Sequence, residues 1–95
     1  MVTLDHHPLH LEIYTRPGCH LCEELRAVCD RMESEFCLRL TEVNIDASPA
    51  LQARFGLEIP VLFIDGRKAV KYRTTEEKLR RILRRRRLLR QFFGN

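Results

Sequence analysis

Two cysteines, Cys19 and Cys22, are separated by only two residues, a spacing that lets their sulfurs meet in a small disulfide ring. Thiol–disulfide exchange needs an accessible thiolate that attacks and a second thiol that resolves the mixed disulfide. The pair follows a Pro-Gly loop and opens an amphipathic helical pattern. We therefore expect Cys19 to be the exposed nucleophile, with its pKa lowered by the helix N-terminus, and Cys22 to be the resolving thiol.

Length and composition limit the kind of protein that carries this pair. The chain has 95 residues, 44% of them hydrophobic, which fits one globular domain of ordinary composition. It has no apolar run of the roughly 20 residues that span a bilayer, and no signal-peptide pattern at its N-terminus, so we expect a cytoplasmic protein. In a reducing compartment, its four cysteines indicate catalysis or metal binding rather than a disulfide framework.

Hydrophobic periodicity predicts a strand at 9–14, an amphipathic helix from about His20 to Phe36 and a second strand at 38–45. This order favours a parallel β-α-β unit. The remaining predicted elements are a short helix begun by Ser48 as N-cap and ended by Gly56 as a C′ glycine, a buried strand at 59–64, a hairpin turn at Asp65-Gly66, a strand at 67–73 and a final helix capped by Thr74 or Thr75.

Three segments of the chain carry a resemblance to a known family. Ile13–Cys22 places a CxxC motif after the first strand, Val43–Asp46 lies in the second strand, and Gly56–Gly66 places an Ile-Pro before a strand and a hairpin. Together they resemble the glutaredoxin family. The sequence of residues 16–22 is most similar to that of a less characterised glutaredoxin-like subfamily with a CxxC motif. The resemblance covers the chain from about Leu9 to Leu83.

This resemblance implies an α/β protein with the thioredoxin fold. Its elements would follow the order β-α-β-α-β-β-α, with a four-stranded mixed sheet flanked by helices. We expect a single domain over residues 1–95, with a core at about 9–83 and a basic C-terminal helix and tail at 75–95. The implied activity is that of a thiol–disulfide oxidoreductase, and we expect a monomer that acts on protein or small-molecule disulfides.

The resemblance also assigns substrate-binding residues around the cysteines. The Ile59–Pro60 bond is expected to be cis and to face the cysteines, which would leave the Ile59 backbone free to pair with a substrate strand. Arg16 lies near the position of a basic residue that helps glutaredoxins to hold glutathione. His20 lies between the two cysteines, and when protonated it would stabilise the thiolate.

The segment 67–73 departs from the classical family, because it lacks the Gly-Gly and the following acidic residue that bind glutathione there. Glutathione and thioredoxin therefore both stay open as electron donors, and we assign no cofactor and no metal. The alternatives are a zinc site, for which Cys29, Cys37 and the histidines are candidate ligands, and an iron–sulfur cluster held between two subunits with glutathione. We expect Cys29 to be a buried core residue and Cys37 to be structural, with a partly exposed secondary thiol as the alternative for Cys37.

Charge is distributed unevenly along the chain. Residues 1–66 carry five Lys/Arg and eleven Asp/Glu, whereas residues 67–95 carry twelve and two. The run Arg84–Arg87 covers every side of a helix, so either at least one of these arginines lies near the packing face or the helix extends beyond the core. We interpret this segment as a solvated final helix. The alternative is a binding module whose basic helix contacts nucleic acid, an acidic protein or another anionic surface, with the cysteines as a redox sensor.

Overall fold

A computed structural model describes residues 8–93 of the chain. Its elements occur in the predicted order β-α-β-α-β-β-α. The elements are β1 (Leu9–Thr15), α1 (His20–Met32), β2 (Leu38–Asn44), a 3-10 turn (Ile45–Ala47), α2 (Pro49–Phe55), β3 (Val61–Ile64), β4 (Arg67–Lys71) and α3 (Glu76–Phe93). The chain is therefore an α/β protein, as the sequence predicts.

The four strands form one sheet in the order β2-β1-β3-β4. β1 pairs in parallel with β2, from Leu9 opposite Leu38 to Thr15 opposite Asn44. β3 is antiparallel to both of its neighbours, β1 and β4. The parallel pair follows from the long α1 crossover and the antiparallel pair β3–β4 from a short turn. The predicted four-stranded mixed sheet is confirmed.

Two hydrophobic cores lie on opposite faces of this sheet, because side chains alternate along each strand. The larger core lies between the sheet and helices α1 and α3, and its fully buried members include Leu11, Ile13, Cys29, Leu62, Ile64, Leu79 and Leu83. The smaller core lies under α2, and it contains Ile45, Phe55 and Val61 with the rings of Tyr14 and Phe63 beside them. Helices α1 and α3 therefore cover one face and α2 covers the other.

Local sequence signals explain where α2 and the hairpin begin. The Ser48 hydroxyl accepts the Leu51 N–H at 3.3 Å, and Pro49 is the first helical residue, so Ser48 is the predicted N-cap. Asp65 and Gly66 have positive φ angles of 49° and 85°, as a two-residue hairpin turn requires. Both predictions are confirmed.

The first helix and the strand after it end earlier than predicted. α1 ends at Met32, and Phe36 enters the core from the following turn, with its N–H bonded to the Met32 carbonyl at 3.0 Å. β2 ends at Asn44, because the Asn44 side chain accepts the Asp46 N–H at 2.8 Å and starts the 3-10 turn. Phe36 and Ile45 are therefore buried, as predicted, although Phe36 lies outside the helix and Ile45 outside the strand.

The boundaries of α2, β3 and β4 also differ from the prediction. Gly56 has a φ of −55°, so it closes α2 without the left-handed conformation of a C′ glycine. β3 begins at Val61, after Pro60, which has no N–H for the strand ladder. β4 ends at Lys71, because Tyr72 has a φ of 69° and leaves the extended region.

The basic C-terminal segment forms one continuous helix as far as the structure describes it. α3 has 18 residues and ends at Phe93. The Thr75 hydroxyl accepts the Lys78 N–H at 3.1 Å, so Thr75 is the predicted cap. Leu79 and Leu83 are fully buried against the sheet. Among the described helices, α3 included, none is both long and apolar enough to cross a membrane.

The arginine run of α3 is exposed at Arg84, Arg85 and Arg87, as expected for a solvated helix, whereas Arg86 is half-buried. Arg86 Nη1 donates to the Ile64 carbonyl at 3.0 Å, and partial burial lowers the pKa of Arg86. Arg90 Nη2 donates to both carboxylate oxygens of Asp65, at 3.0 and 2.9 Å. Of the two alternatives for the run, the contact of Arg86 confirms the first, in which at least one arginine lies near the packing face.

Candidate redox site

A tight turn leads from β1 to the first cysteine. The Cys19 N–H donates to the Arg16 carbonyl at 3.3 Å, and Gly18 has a φ of 77°. Pro17 and Gly18 thus occupy the two central positions typical of a type II turn. A Cβ at Gly18 would meet nothing within 4 Å, so the backbone conformation rather than lack of space favours glycine here.

Cys19 and Cys22 are joined by a disulfide, with their Cα atoms 5.2 Å apart. Cys19 is the N-cap of α1, and its Sγ accepts the Cys22 N–H at 3.2 Å. The Cys19 sulfur therefore has a backbone donor at the positive end of the helix, a setting that stabilises negative charge on sulfur. Cys19 is half-buried and Cys22 is only 4% exposed, so a substrate has easier access to Cys19.

The Ile59–Pro60 peptide bond is cis, as the resemblance implied. Tyr14 near the end of β1 pairs with Val61 at the start of β3. The loop after β1 and the residues before β3 therefore lie at the same end of the sheet, which we call the redox end. Pro60 is fully buried, and its carbonyl accepts the Tyr72 N–H at 2.8 Å. The Ile59 N–H and carbonyl form no hydrogen bond within residues 8–93, so this backbone segment is unpaired at the redox end.

The other two predicted substrate contacts have different surroundings. The Arg16 Nε donates to Asp46 Oδ1 at 3.0 Å, so the turn after β2 holds the guanidinium. His20 is the first residue of α1 and its side chain is exposed. An anionic substrate would therefore compete with Asp46 for Arg16, whereas His20 faces solvent.

A cleft of about 460 Å³ lies beside the disulfide. Of the residues predicted for the site, Arg16, Cys19 and Cys22 line this cleft, whereas His20 and the Ile59–Pro60 segment are not part of its lining. The rest of the lining consists of Thr15, Pro17, Gly18, Glu23, Arg26, Glu42 and Asn44. The cleft thus opens on the β2 side of the disulfide.

Arg26 and Glu42 form a charged wall of this cleft that sequence reasoning missed. Arg26 donates from Nε to Asp30 at 3.2 Å and from Nη1 to Glu42. The hydrogen bond to Glu42 and then that to Asp30 raise the pKa of Arg26. Because Arg26 follows Cys22 by four residues, helical spacing could have placed it beside the site. No such local signal connects Glu42 to α1.

The remaining cysteines lie outside the site. Cys29 is fully buried in the larger core, as predicted, and burial, with a smaller effect from Asp30, raises the pKa of its thiol to about 12. Cys37 is exposed before β2, and it is not bonded to Cys29. In the described part of the chain, no three His, Cys, Asp or Glu side chains form a group that could hold a metal, and the candidate ligands His6 and His7 lie outside that part.

The sequence profile of the glutaredoxin-like domain family (DUF836) matches residues 10–84, a range that holds both bonded cysteines and the cis proline. The chain belongs to this family. An uncharacterized protein of Mycobacterium tuberculosis is 29% identical to this glutaredoxin-like protein over 75 residues, which cover 74% of this chain and 77% of that relative. The resemblance inferred from the motifs is confirmed.

Solved structures show the same fold for this glutaredoxin-like protein. A protein from X. campestris is 30% identical with a TM-score of 0.67, covering 77% of this chain and 93% of that one. Protein Ne2328 from Nitrosomonas europaea is 27% identical with a TM-score of 0.73, covering 86% and 98%. A mutant thioredoxin from Halobacterium salinarum, at 21% identity, a TM-score of 0.55 and coverage of 78% and 70%, shows the fold alone. The predicted thioredoxin fold is confirmed.

Proposed function

We propose that this glutaredoxin-like protein is a thiol–disulfide oxidoreductase in which Cys19 is the nucleophile and Cys22 the resolving thiol. The observation that carries the proposal is the disulfide at the N-terminus of α1, which has one accessible and one buried cysteine. Once the bond is reduced, the helix N-terminus and the Cys22 N–H favour a thiolate on Cys19. Burial of Cys22 protects the second thiol from unwanted partners until a mixed disulfide has formed.

The proposed reaction consists of two displacements. The Cys19 thiolate attacks one sulfur of a substrate disulfide, so a Cys19–substrate bond forms and the other substrate sulfur leaves as a thiolate. Cys22 then loses its proton to solvent and attacks the Cys19 sulfur, which releases the second substrate sulfur as a thiolate. The substrate has gained two electrons and the pair is oxidised. Two external thiols, or one dithiol, reduce it again.

The unpaired backbone of Ile59 supports a role for the redox end in holding the substrate. An extended peptide next to Cys19 could bond to the Ile59 N–H and carbonyl in the manner of an added strand. In this proposal Pro60 shapes the segment, Arg16 contacts the substrate from the cleft, and His20 contributes positive charge at the exposed side when it is protonated.

The source of electrons belongs to the same proposal. Glutathione and thioredoxin are the two candidates, and both are reductants of the cytoplasm, where we propose that the protein acts. The pairing of Arg16 with Asp46 leaves the guanidinium less available to a glutathione carboxylate. We therefore expect a dithiol donor to support faster turnover than glutathione does, a comparison that the assay below includes.

The test is disulfide reduction by the full chain, measured on insulin and on a small mixed disulfide, with thioredoxin or glutathione as donor. Cys19→Ser should reduce turnover to the uncatalysed rate with either donor, because no accessible thiol remains in the helix N-cap position. Cys22→Ser should instead trap the substrate on Cys19 as a mixed disulfide, which mass spectrometry detects.

Cys37→Ser is the matched control, because it removes an exposed cysteine that lies outside the site. Its turnover should equal that of the unmodified chain. Wild-type turnover in Cys19→Ser, or no catalysis of any disulfide by the unmodified chain, would show that the proposed function is wrong.

A further inference from the structure

Three large apolar side chains lie exposed on the last turns of α3. Leu88 is 52% exposed, Leu89 42% and Phe92 77%, whereas Leu79 and Leu83 of the same helix are fully buried. Single exposed apolar residues are common on protein surfaces, but a contiguous group with polar residues around it indicates an interaction site. The C-terminal part of α3 thus has apolar surface that the fold does not use.

The arginines of α3 lie on different sides of the helix. Arg86 and Arg90 turn inward to the β3–β4 hairpin. Arg81, Arg84 and Arg85 are exposed, and no hydrogen bond or ion pair within residues 8–93 involves them. The outward arginines and the exposed apolar residues form one surface, called the outer stripe (Arg81, Arg84, Arg85, Leu88, Leu89 and Phe92).

We propose that the outer stripe docks the protein onto the surface of an anionic lipid bilayer, with α3 lying in the plane of the interface. Arginines attract acidic headgroups, and Leu and Phe side chains enter the boundary between headgroups and acyl chains. From Arg81 to Phe92 the stripe runs straight along the helix for about 16 Å, at 1.5 Å per residue. A straight, exposed face of this kind fits a planar surface.

The composition of the outer stripe favours a lipid surface over a second copy of the chain and over nucleic acid. A second copy of the chain would bring three unpaired arginines against three more, and like charges oppose that contact. Nucleic acid phosphates would engage the arginines but would gain little from Leu88 and Leu89, since binding to phosphate comes from charge. A bilayer uses both parts of the stripe.

The position of the outer stripe is compatible with redox chemistry on a membrane. The β3–β4 hairpin lies beside His10 at the start of β1, because the Asp65 N–H donates to the His10 carbonyl at 2.8 Å. We call this end of the sheet, where the β3–β4 hairpin meets the start of β1, the hairpin end. Arg90 fixes the last turns of α3 to Asp65 there. From His10 to Thr15 the strand spans about 17 Å at 3.3 Å per residue. The contact that fixes the last turns of α3 therefore lies at the opposite end of β1 from the loop that carries Cys19.

The experiment is co-sedimentation of the full chain with phosphatidylcholine vesicles that contain or lack phosphatidylserine. The unmodified chain should bind only the vesicles with phosphatidylserine, and rising salt should weaken this binding. The double variant Arg81→Gln/Arg85→Gln should bind about 30-fold more weakly, which corresponds to about 1 kcal/mol for each basic residue lost.

The matched control Arg39→Gln/Lys71→Gln removes the same charge from exposed positions on β2 and β4, so its binding should stay close to that of the unmodified chain. Equal losses in the two double variants would overturn the proposal, since net charge rather than the outer stripe would then explain binding. The Cys19→Ser chain should bind as the unmodified chain does, so this result is independent of the proposed redox function.

A fluorescence reporter tests the apolar part of the outer stripe. The chain contains no tryptophan, so Phe92→Trp provides a single fluorescent probe. Phe92 is the most exposed apolar residue of the outer stripe. The tryptophan emission should shift to shorter wavelength when vesicles with phosphatidylserine are added. Vesicles of phosphatidylcholine alone should leave it unchanged. An emission that the vesicles with phosphatidylserine leave unchanged overturns the proposal. Binding to RNA or to polyglutamate without binding to the vesicles also overturns it, because the partner would then be nucleic acid or acidic protein.

Discussion

The redox end and the hairpin end of the sheet hold their loops with different groups. At the redox end the cysteine loop is shaped by the backbone, with a positive φ at Gly18, a helix N–H on the Cys19 sulfur and an unpaired segment at Ile59, and its side-chain pair Arg16–Asp46 has one hydrogen bond. At the hairpin end side chains dominate, because Arg86 and Arg90 of α3 bind a carbonyl and a carboxylate of the β3–β4 hairpin. One end leaves polar groups open to a substrate, and the other satisfies them within the fold.

This difference changes how the basic segment of the chain is interpreted. Counted by composition, every arginine after residue 79 looks like part of a binding surface. In the structure Arg80 pairs with Glu35 at 2.8 Å, and the Arg87 guanidinium lies 4.6 Å from the centroid of the Phe36 ring. These contacts tie Arg80 and Arg87 to the fold, whereas the arginines of the outer stripe form no hydrogen bond or ion pair within residues 8–93.

The largest expected effect at the hairpin end comes from Arg86→Ala. The variant leaves the partly buried Ile64 carbonyl without its charged donor, so the free energy of unfolding should fall by about 1–3 kcal/mol. Disulfide exchange at Cys19 should not change, since the lost contact lies at the other end of β1. Urea unfolding followed by circular dichroism measures the first quantity, and insulin reduction measures the second.

Arg85→Ala is the control, because it replaces a neighbouring exposed arginine that forms no hydrogen bond or ion pair within residues 8–93. Its free energy of unfolding should change by less than about 0.5 kcal/mol. If both variants lost the same stability, the Ile64 contact would not be what fixes α3 to the hairpin.

A matched pair of glycine variants compares the two ends directly. Gly18 and Gly66 have φ angles of 77° and 85°, and a Cβ on either would meet nothing within 4 Å. Gly18→Ala and Gly66→Ala should therefore each lower the free energy of unfolding by about 1–2 kcal/mol, the usual penalty for a left-handed L residue. Only Gly18→Ala should also slow disulfide exchange, because its turn positions Cys19.

Thermal unfolding and insulin reduction by the two chains check this pair. The midpoints should fall by similar amounts, about 4–8 °C for each kcal/mol lost in a domain of this size. Equal rates of exchange in the two variants would mean that the turn before Cys19 does not set the reactivity of the redox end.

The fold was predictable because its signals are local. The Ser48 cap, the Asp65-Gly66 turn and the alternation of apolar residues each need only a few neighbouring positions. The end of α1 was not predictable in this way, since Phe36 keeps helical spacing although a turn carries it into the core. Gly56 was misassigned for a similar reason: its sequence fits a left-handed cap, but its backbone stays right-handed.

The candidate site was predictable where spacing along the chain defines it. The two residues between Cys19 and Cys22 were enough to locate the disulfide, and the resemblance to the glutaredoxin family implied the cis bond before Pro60. The partner of Arg16 was not predictable, because Asp46 lies 30 positions away and meets it only through the pairing of β1 with β2. Contacts of this kind depend on tertiary register, for which the sequence has no local signal.

The smallest effect concerns the ion pairs at the two ends. Arg90–Asp65 has two hydrogen bonds and side chains that are 26% and 35% exposed, whereas Arg16–Asp46 has one hydrogen bond and exposures of 38% and 44%. Double-mutant cycles with alanine should give coupling energies of about 0.5–1 kcal/mol for the first pair and less for the second, since exposure weakens an ion pair. Added salt should reduce both. A stronger coupling at Arg16–Asp46 would contradict the comparison, because the redox end would then depend on side-chain charge as much as the hairpin end does.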